Sequence, residues 1–145
     1  MANPIRKIKI TLVGHYWDLI PEYSIRCNDV PICSKKKLPT KTGESYIEEF
    51  DAVNSDSFLI EIHFRNKTTD QSVLNLNRDK LVRDMLLEVR DFIIDDARIT
   101  INDICEYHLK QSQMYQGKLV KNILGTSMLG FNGKLIIQYI PSPLQ

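Results

Sequence analysis

The block Leu81–Asp96, LVRDMLLEVRDFIIDD, constrains the fold more than any other stretch because it satisfies two incompatible periodicities. At a period near 3.6, Leu81, Val82, Met85, Leu86, Val89, Phe92 and Ile93 make one continuous apolar helical face. At a period of 2, Met85, Leu87 and Val89 point to one side while Leu86, Glu88 and Arg90 point to the other, as in a strand. The first reading builds a helix packed on a sheet and the second an all-β sandwich. Periodicity inside the block leaves both open.

The surroundings are strand-rich. Ile5–Val13 alternates Ile8, Ile10 and Leu12 with Lys7, Lys9 and Thr11, the pattern of a half-buried strand. Tyr23–Cys27 and Val30–Lys35 flank Asn28-Asp29, a pair suited to closing a tight hairpin. Ser45–Ala52 alternates Tyr46, Glu48 and Phe50 with their neighbours. Phe58–Phe64 places Phe58, Ile60, Ile62 and Phe64 on one face and Leu59, Glu61 and His63 on the other. Two further strands are expected at Arg98–Ile101 and Gly133–Ile140, the latter entered by Asn132-Gly133 and stopped by Pro141 and Pro143. His15–Tyr23, Lys35–Gly43 and Asn66–Asp79 read as loops, the second as an exposed polar connection. Asp95-Asp96 reads as a turn with no capping glycine before it. One helix among so many short strands would be an odd insertion, which tilts the block towards a strand and the chain towards a sandwich or jelly roll.

Charge excludes more than it assigns. Nineteen basic residues against eighteen acidic give +1, which supplies no general electrostatic case for nucleic acid or an anionic membrane. No apolar run approaches the ~20 residues of a membrane span, and MANPIRKIKI lacks the apolar core of a secretory signal. A protein kept in a cytoplasm, or assembled there into something larger, is expected. With 145 residues and no repeat or composition shift, one domain over 1–145 is expected. Cys27, Cys33 and Cys105 read as free buried thiols, since their spacing matches no zinc knuckle.

The motifs of catalysis are missing. The six glycines form no dinucleotide or phosphate-loop signature, and neither G-x-S-x-G nor H-E-x-x-H occurs. Cys105 with His108 is the one imaginable nucleophile–base pair, and nothing orients the imidazole or activates the thiol. No enzymatic activity is expected. Two weaker signals concern binding. Tyr16 and Trp17, beside His15, concentrate aromatic surface in a loop, as sugar sites, protein hot spots and buried plugs all do. Asp95, Asp96 and Asp103 offer hard oxygen ligands in turns, which calcium prefers, although capping turns and facing water is the plainer role for them.

The run KLVRDMLLEVRDFIIDDARIT, Lys80–Thr100, followed by LGFNGKLIIQYIPSP, Leu129–Pro143, resembles small virion-associated proteins of T4-like and marine tailed bacteriophages. KIKITLVG and FLIEIHFRNKT fit the same likeness, so it spans most of the chain. YSIRCNDVPIC, residues 23–33, resembles a strand–turn–strand of calcium-dependent xylan-binding modules, whose jelly-roll fold these phage proteins share. The resemblance implies an all-β jelly roll of about 7–9 mostly antiparallel strands, with Asp84–Ile94 a strand and Leu81 and Val82 in the loop leading in. It implies a virion setting, with the protein in several copies as a decoration or adaptor among other virion proteins. Its alternative implication is a module that binds a host surface glycan, with calcium as the one cofactor to consider. It adds no catalytic residue.

Overall fold

A computed structural model describes residues 5–78 and 80–140. In chain order the strands are β1 (Ile5–His15), β2 (Glu22–Cys27), β3 (Val30–Lys37), β4 (Ser45–Val53), β5 (Phe58–Phe64), β6 (Val73–Leu74), β7 (Leu81–Arg83) and β8 (Leu86–Ile94). They continue with β9 (Ala97–Ile99), β10 (Cys105–Tyr115), β11 (Lys118–Leu124), β12 (Met128–Leu129) and β13 (Gly133–Tyr139). Short 3-10 turns occupy Thr69–Gln71 and Ile101–Asp103. The fold is an all-β sandwich. One sheet runs β12-β8-β1-β4 with β9 added to β8, and the other runs β11-β10-β13-β5-β2-β3. β6 and β7 form a separate ribbon, and every pairing among the described residues is antiparallel.

The ambiguous block is a strand, and a β-bulge explains its ambiguity. Thr11 of β1 pairs with Asp91 and Leu12 pairs with Val89, so Arg90 is an extra residue with no partner in β1. Met85, Leu87 and Val89 are fully buried, and so are Phe92 and Ile94 two registers later. The inserted residue slips the alternation by one position. Met85, Val89 and Phe92 therefore lie at i, i+4 and i+7, which is also the spacing of a helix face. Leu81 and Val82, by contrast, are more than half exposed, as no core helix would leave them. They lie not in a loop but in β7, paired with β6 inside the segment read as the Asn66–Asp79 loop.

The core fills the space between the sheets. Ile8, Ile10 and Leu12 of β1 meet the buried row of β8 on one side, and Tyr23, Ile25, Ile60, Ile62, Leu135 and Ile137 oppose them from the other. Each such side chain contributes roughly 1.5–3 kcal/mol by leaving water. Leu38 joins this cluster at 2% exposure, so the expected exposed connection Lys35–Gly43 carries a core plug. A Cβ on Gly14 would stand 2.5 Å from the Leu38 side chain, so the strand admits the plug only where a side chain is missing. One of the buried polar side chains, Glu48, bridges the two sheets. Glu48 lies in the inward row of β4 at 8% exposure, where it accepts hydrogen bonds from the Tyr23 hydroxyl at 2.5 Å and Lys36 Nζ at 2.7 Å. Lys36 also donates to the Tyr46 hydroxyl at 2.8 Å, so a polar bridge joins the sheets through β2, β3 and β4.

Three tight turns place both central residues at positive φ, as a type I′ hairpin turn needs: Asn28-Asp29, Asp95-Asp96 and Gln116-Gly117. The first two match the sequence reading. The third closes β10–β11, a hairpin with no counterpart among the expected strands. Its addition and the short pairs raise the strand number among the described residues to thirteen, of which nine have six residues or more. The expected stop at Pro141 and Pro143 lies outside the described residues.

Candidate functional site

The imaginable catalytic pair does not form. On β10, Cys105 points into the core at 7% exposure while His108, three residues on, belongs to the outward row. The Cys105 Sγ–H donates to the Thr126 carbonyl at 3.4 Å, and burial pushes the thiol above its usual range. His108 stands 3.3 Å from Glu106. The sheet separates them.

The aromatic loop divides into a plug and a partly open ring. Tyr16 packs against the core cluster and donates its hydroxyl to the Thr40 carbonyl at 2.8 Å. Trp17 keeps 42% of its surface, yet its indole N–H donates to the Gln71 carbonyl at 2.8 Å and the Arg83 guanidinium lies 5.0 Å from its ring centre. Gln71, itself buried, receives the Leu19 N–H and donates to Asp18, so the loop is pinned to the segment that follows β5.

The three aspartates are not brought together as a cation site. Asp95 and Asp96 are the central pair of the β8–β9 turn, and Asp103 ends the second 3-10 turn. Asp95 Oδ1 accepts the Lys7 backbone N–H at 2.8 Å, and Oδ2 accepts Arg6 Nε. These partners, the backbone N–H foremost, hold its carboxyl below the ordinary range. Both oxygens are thus already engaged. Among the described residues, no three His, Cys, Asp or Glu side chains are grouped as a metal site would need.

A different region has the form of a binding site. Between the segment after β5 and the far half of β10 lies an open cleft of about 610 Å³. Thr68, Thr69 and Ser72 line it with hydroxyls, Gln111 and Gln113 of β10 with amides, and Phe131 with an aromatic ring. Its walls are held by a compact polar lock. Lys67 Nζ donates to Asp84 Oδ1 and to the Gly130 carbonyl, both at 2.6 Å, and lies 5.6 Å from the Phe131 ring centre. Ser72 Oγ–H and the Met85 N–H donate to the same Asp84 oxygen. The Asn132 side chain receives the Lys67 N–H at 2.8 Å and donates to the Lys67 carbonyl at 2.7 Å. Three distant segments thereby meet with their polar groups satisfied. None of these residues stands out in the sequence; the only local signal is Phe131-Asn132-Gly133, an aromatic placed at a turn.

Gly133 makes the junction possible. A Cβ there would lie 2.3 Å from the His108 carbonyl oxygen and 3.0 Å from the Leu109 Cα, both backbone. β13 can therefore enter beside β10 only with glycine at its first position.

No protein-family model matches this sequence, and no curated protein matches it significantly. Two solved structures do match by fold. One, described as vCBM60 in complex with galactobiose, aligns with a TM-score of 0.51 and 10% identity over 90% of this chain and 96% of its own. The other is the selenomethionine form of vCBM60, described in terms of a circular permutation linking two families of calcium-dependent carbohydrate-binding modules. It aligns with a TM-score of 0.51 and 10% identity over 91% of this chain and 89% of its own. At that identity the likeness establishes the fold. Of the two resemblances drawn from the sequence, the likeness in fold is to a carbohydrate-binding module, and neither matching structure is described as a virion protein.

Proposed function

We propose that this chain is a non-catalytic carbohydrate-binding module, working as one β-sandwich domain that recognises a glycan, in the first instance one on a cell surface. The observation that carries the reading is the cleft beside Phe131. Hydroxyls and amides that both donate and accept hydrogen bonds, set beside one apolar ring, match the surface of a sugar, which is itself hydroxyl-rich with apolar C–H faces. The structural matches support it, since both are carbohydrate-binding modules and one holds galactobiose. The virion-component reading, placed first by the sequence resemblance, draws nothing from those matches and takes second place; mass spectrometry of purified particles tests it.

Calcium enters differently. The matching modules are described as calcium-dependent, but the aspartates here do not fit a bound cation, because Asp95 is spent on Arg6 and Lys7 and stands apart from any group of three ligands. No role in binding is assigned to the metal.

The test is a glycan array followed by calorimetry on the best ligand, with and without a chelator. Binding should survive chelation and Trp17→Ala, and weaken at least about tenfold, or ~1.4 kcal/mol, in Gln113→Ala and Phe131→Ala. Circular dichroism confirms that each variant is folded. A Trp17→Ala loss with Gln113→Ala intact would move the site to the aromatic loop. Absence of binding across the array would reject the proposal.

A further inference from the structure

A second cleft, of about 380 Å³, adjoins the first on the outer face of the six-stranded sheet, and the two share Lys110 and Asn132. It lies over a cross-strand row in which His108 of β10 pairs with Lys134 of β13, which pairs with His63 of β5. Arg65, just past the end of β5, and Lys110 of β10 add the remaining cations of the lining. Every titratable side chain of the lining is basic.

The carboxylates nearby sit in the next row. Glu61 holds Lys134 at 3.4 Å and Glu106 holds His108 at 3.3 Å, and neither lines the cleft. Arg65 and Lys110 have no carboxylate within ion-pair distance among the described residues, and both are exposed. Unpaired like charges in one concavity repel each other until an anion joins them. A second observation points the same way. His63 Nε2 is the only buried side-chain nitrogen or oxygen among the described residues without a hydrogen bond, and its ring lines this cleft. The lining thus combines a histidine whose buried Nε2 is unbonded with an arginine whose planar fork suits a carboxylate or sulfate.

We infer that this cleft receives an oxyanion carried on a saccharide, a uronate carboxylate or a sulfate ester, so that the ligand is an acidic glycan lying across both clefts. The inference rests on the carbohydrate-binding reading and narrows it to a ligand class. Lys110 and Asn132, at the junction, would face the linkage between the neutral residue and the charged one.

Calorimetry on the full chain tests it, with three oligosaccharides of equal length: a neutral galactan, an oligogalacturonate and a sulfated galactan. At low salt at least one acidic chain should bind about tenfold tighter than the neutral one, and the advantage should shrink in ~0.5 M salt, where screening acts within a few ångströms. Arg65→Gln, on an exposed side chain outside the neutral cleft, should remove most of that advantage and leave neutral binding unchanged. A preference for one acidic chain over the other identifies the oxyanion as carboxylate or sulfate. Equal affinity for neutral and acidic chains would overturn the inference and leave the module reading standing. An acidic advantage that survives Arg65→Gln would overturn the placement. Failure to bind any of the three, with the array also empty, would remove both proposals. A single-stranded DNA oligomer that outcompetes every saccharide would overturn the glycan as the ligand.

Discussion

Deleting Arg90 and deleting Glu88 should have opposite consequences, although the two residues are neighbours on the outer face of β8. Arg90 is the bulged residue, so removing it leaves Val89, Asp91 and Phe92 in strict alternation. Val89 stays opposite Leu12 and Phe92 opposite Ile10, with every inward side chain still inward. What is lost is a solvent-screened surface contact, Arg90 Nε to Glu88 Oε2 at 3.0 Å, together with some local twist. Removing Glu88 instead leaves Leu87 and Phe92 four positions apart with Val89 turned outward and Arg90 turned into the core. Loss of the Val89 side chain from the interior costs ~1.5–3 kcal/mol, and an unpaired buried guanidinium costs several more. Together these approach the 5–15 kcal/mol by which a domain of this size is stable at all, on the order-of-magnitude scale. Urea titration followed by tryptophan fluorescence, with Glu88→Ala as a control for the lost His15 and Arg90 contacts, measures both. The deletion of Arg90 should fold cooperatively within about 2 kcal/mol of the parent, while the deletion of Glu88 should be unfolded or nearly so. Equal losses in the two variants, or a fully folded deletion of Glu88, would refute the phase-slip account.

Three further outcomes follow from other parts of the sandwich. Tyr23→Phe removes a buried hydrogen bond to the Glu48 carboxylate and should cost about 1.5–3 kcal/mol in urea unfolding; Lys36→Met in the same background should show coupling through Glu48 in a double-mutant cycle. Gly133→Ala drives a methyl into the backbone of β10 and should cost at least the ~1–3 kcal/mol of ordinary overpacking, with hydrogen exchange rising first in β10 and β13; an unaltered melting temperature would contradict the close approach. At alkaline pH the sign is set by three raised groups: burial raises Tyr23 and Tyr107, and hydrogen bonding to Glu48 raises Lys36. The folded state keeps those protons where the unfolded chain releases them, so their stabilisation is complete below about pH 10 and declines as pH rises beyond it. Unfolding titrations across that range should show a shallower decline for Tyr23→Phe than for the parent.

The parts of the fold that the sequence discloses are those where one residue in two is buried. β5 alternates without interruption, and the Asn28-Asp29 turn announces the β2–β3 hairpin because few residues other than glycine tolerate two positive φ values in succession. β10 and β11 escape for the opposite reason. Only Cys105, Tyr107 and Leu109 of β10 reach the core; Gln111, Met114 and Tyr115 run on in solvent beside β11, where Ile123 is the one buried residue. A strand that overhangs the sandwich carries no burial period to read. Leu38 escapes because its four lysine neighbours, Lys35, Lys36, Lys37 and Lys41, dominate the local composition, while its partner space is opened by Gly14, twenty-four residues earlier. The cleft is harder still. Thr68, Gln113 and Phe131 become neighbours only when sheet order brings the segment after β5 against β10 and the entrance of β13, so no local pattern marks them. Trp17 and the aspartates attract notice by residue type; in the fold the Trp17 indole N–H is held by the Gln71 carbonyl, and the Asp95 carboxylate by Arg6 and Lys7.

The Lys67 lock also bears on time. Its ammonium fastens the segment after β5, the residue before Met85 and the turn at Gly130 before any ligand arrives. A site assembled in advance has no loop to order and no slow closure to await. Observed association rates should therefore climb linearly with ligand concentration and show no plateau, so that affinity differences among ligands are expressed almost wholly in how long each stays. Lys67→Met frees the Asp84 carboxylate from its cation, and a saturating rate in that variant would be the kinetic trace of a cleft that must first be rebuilt.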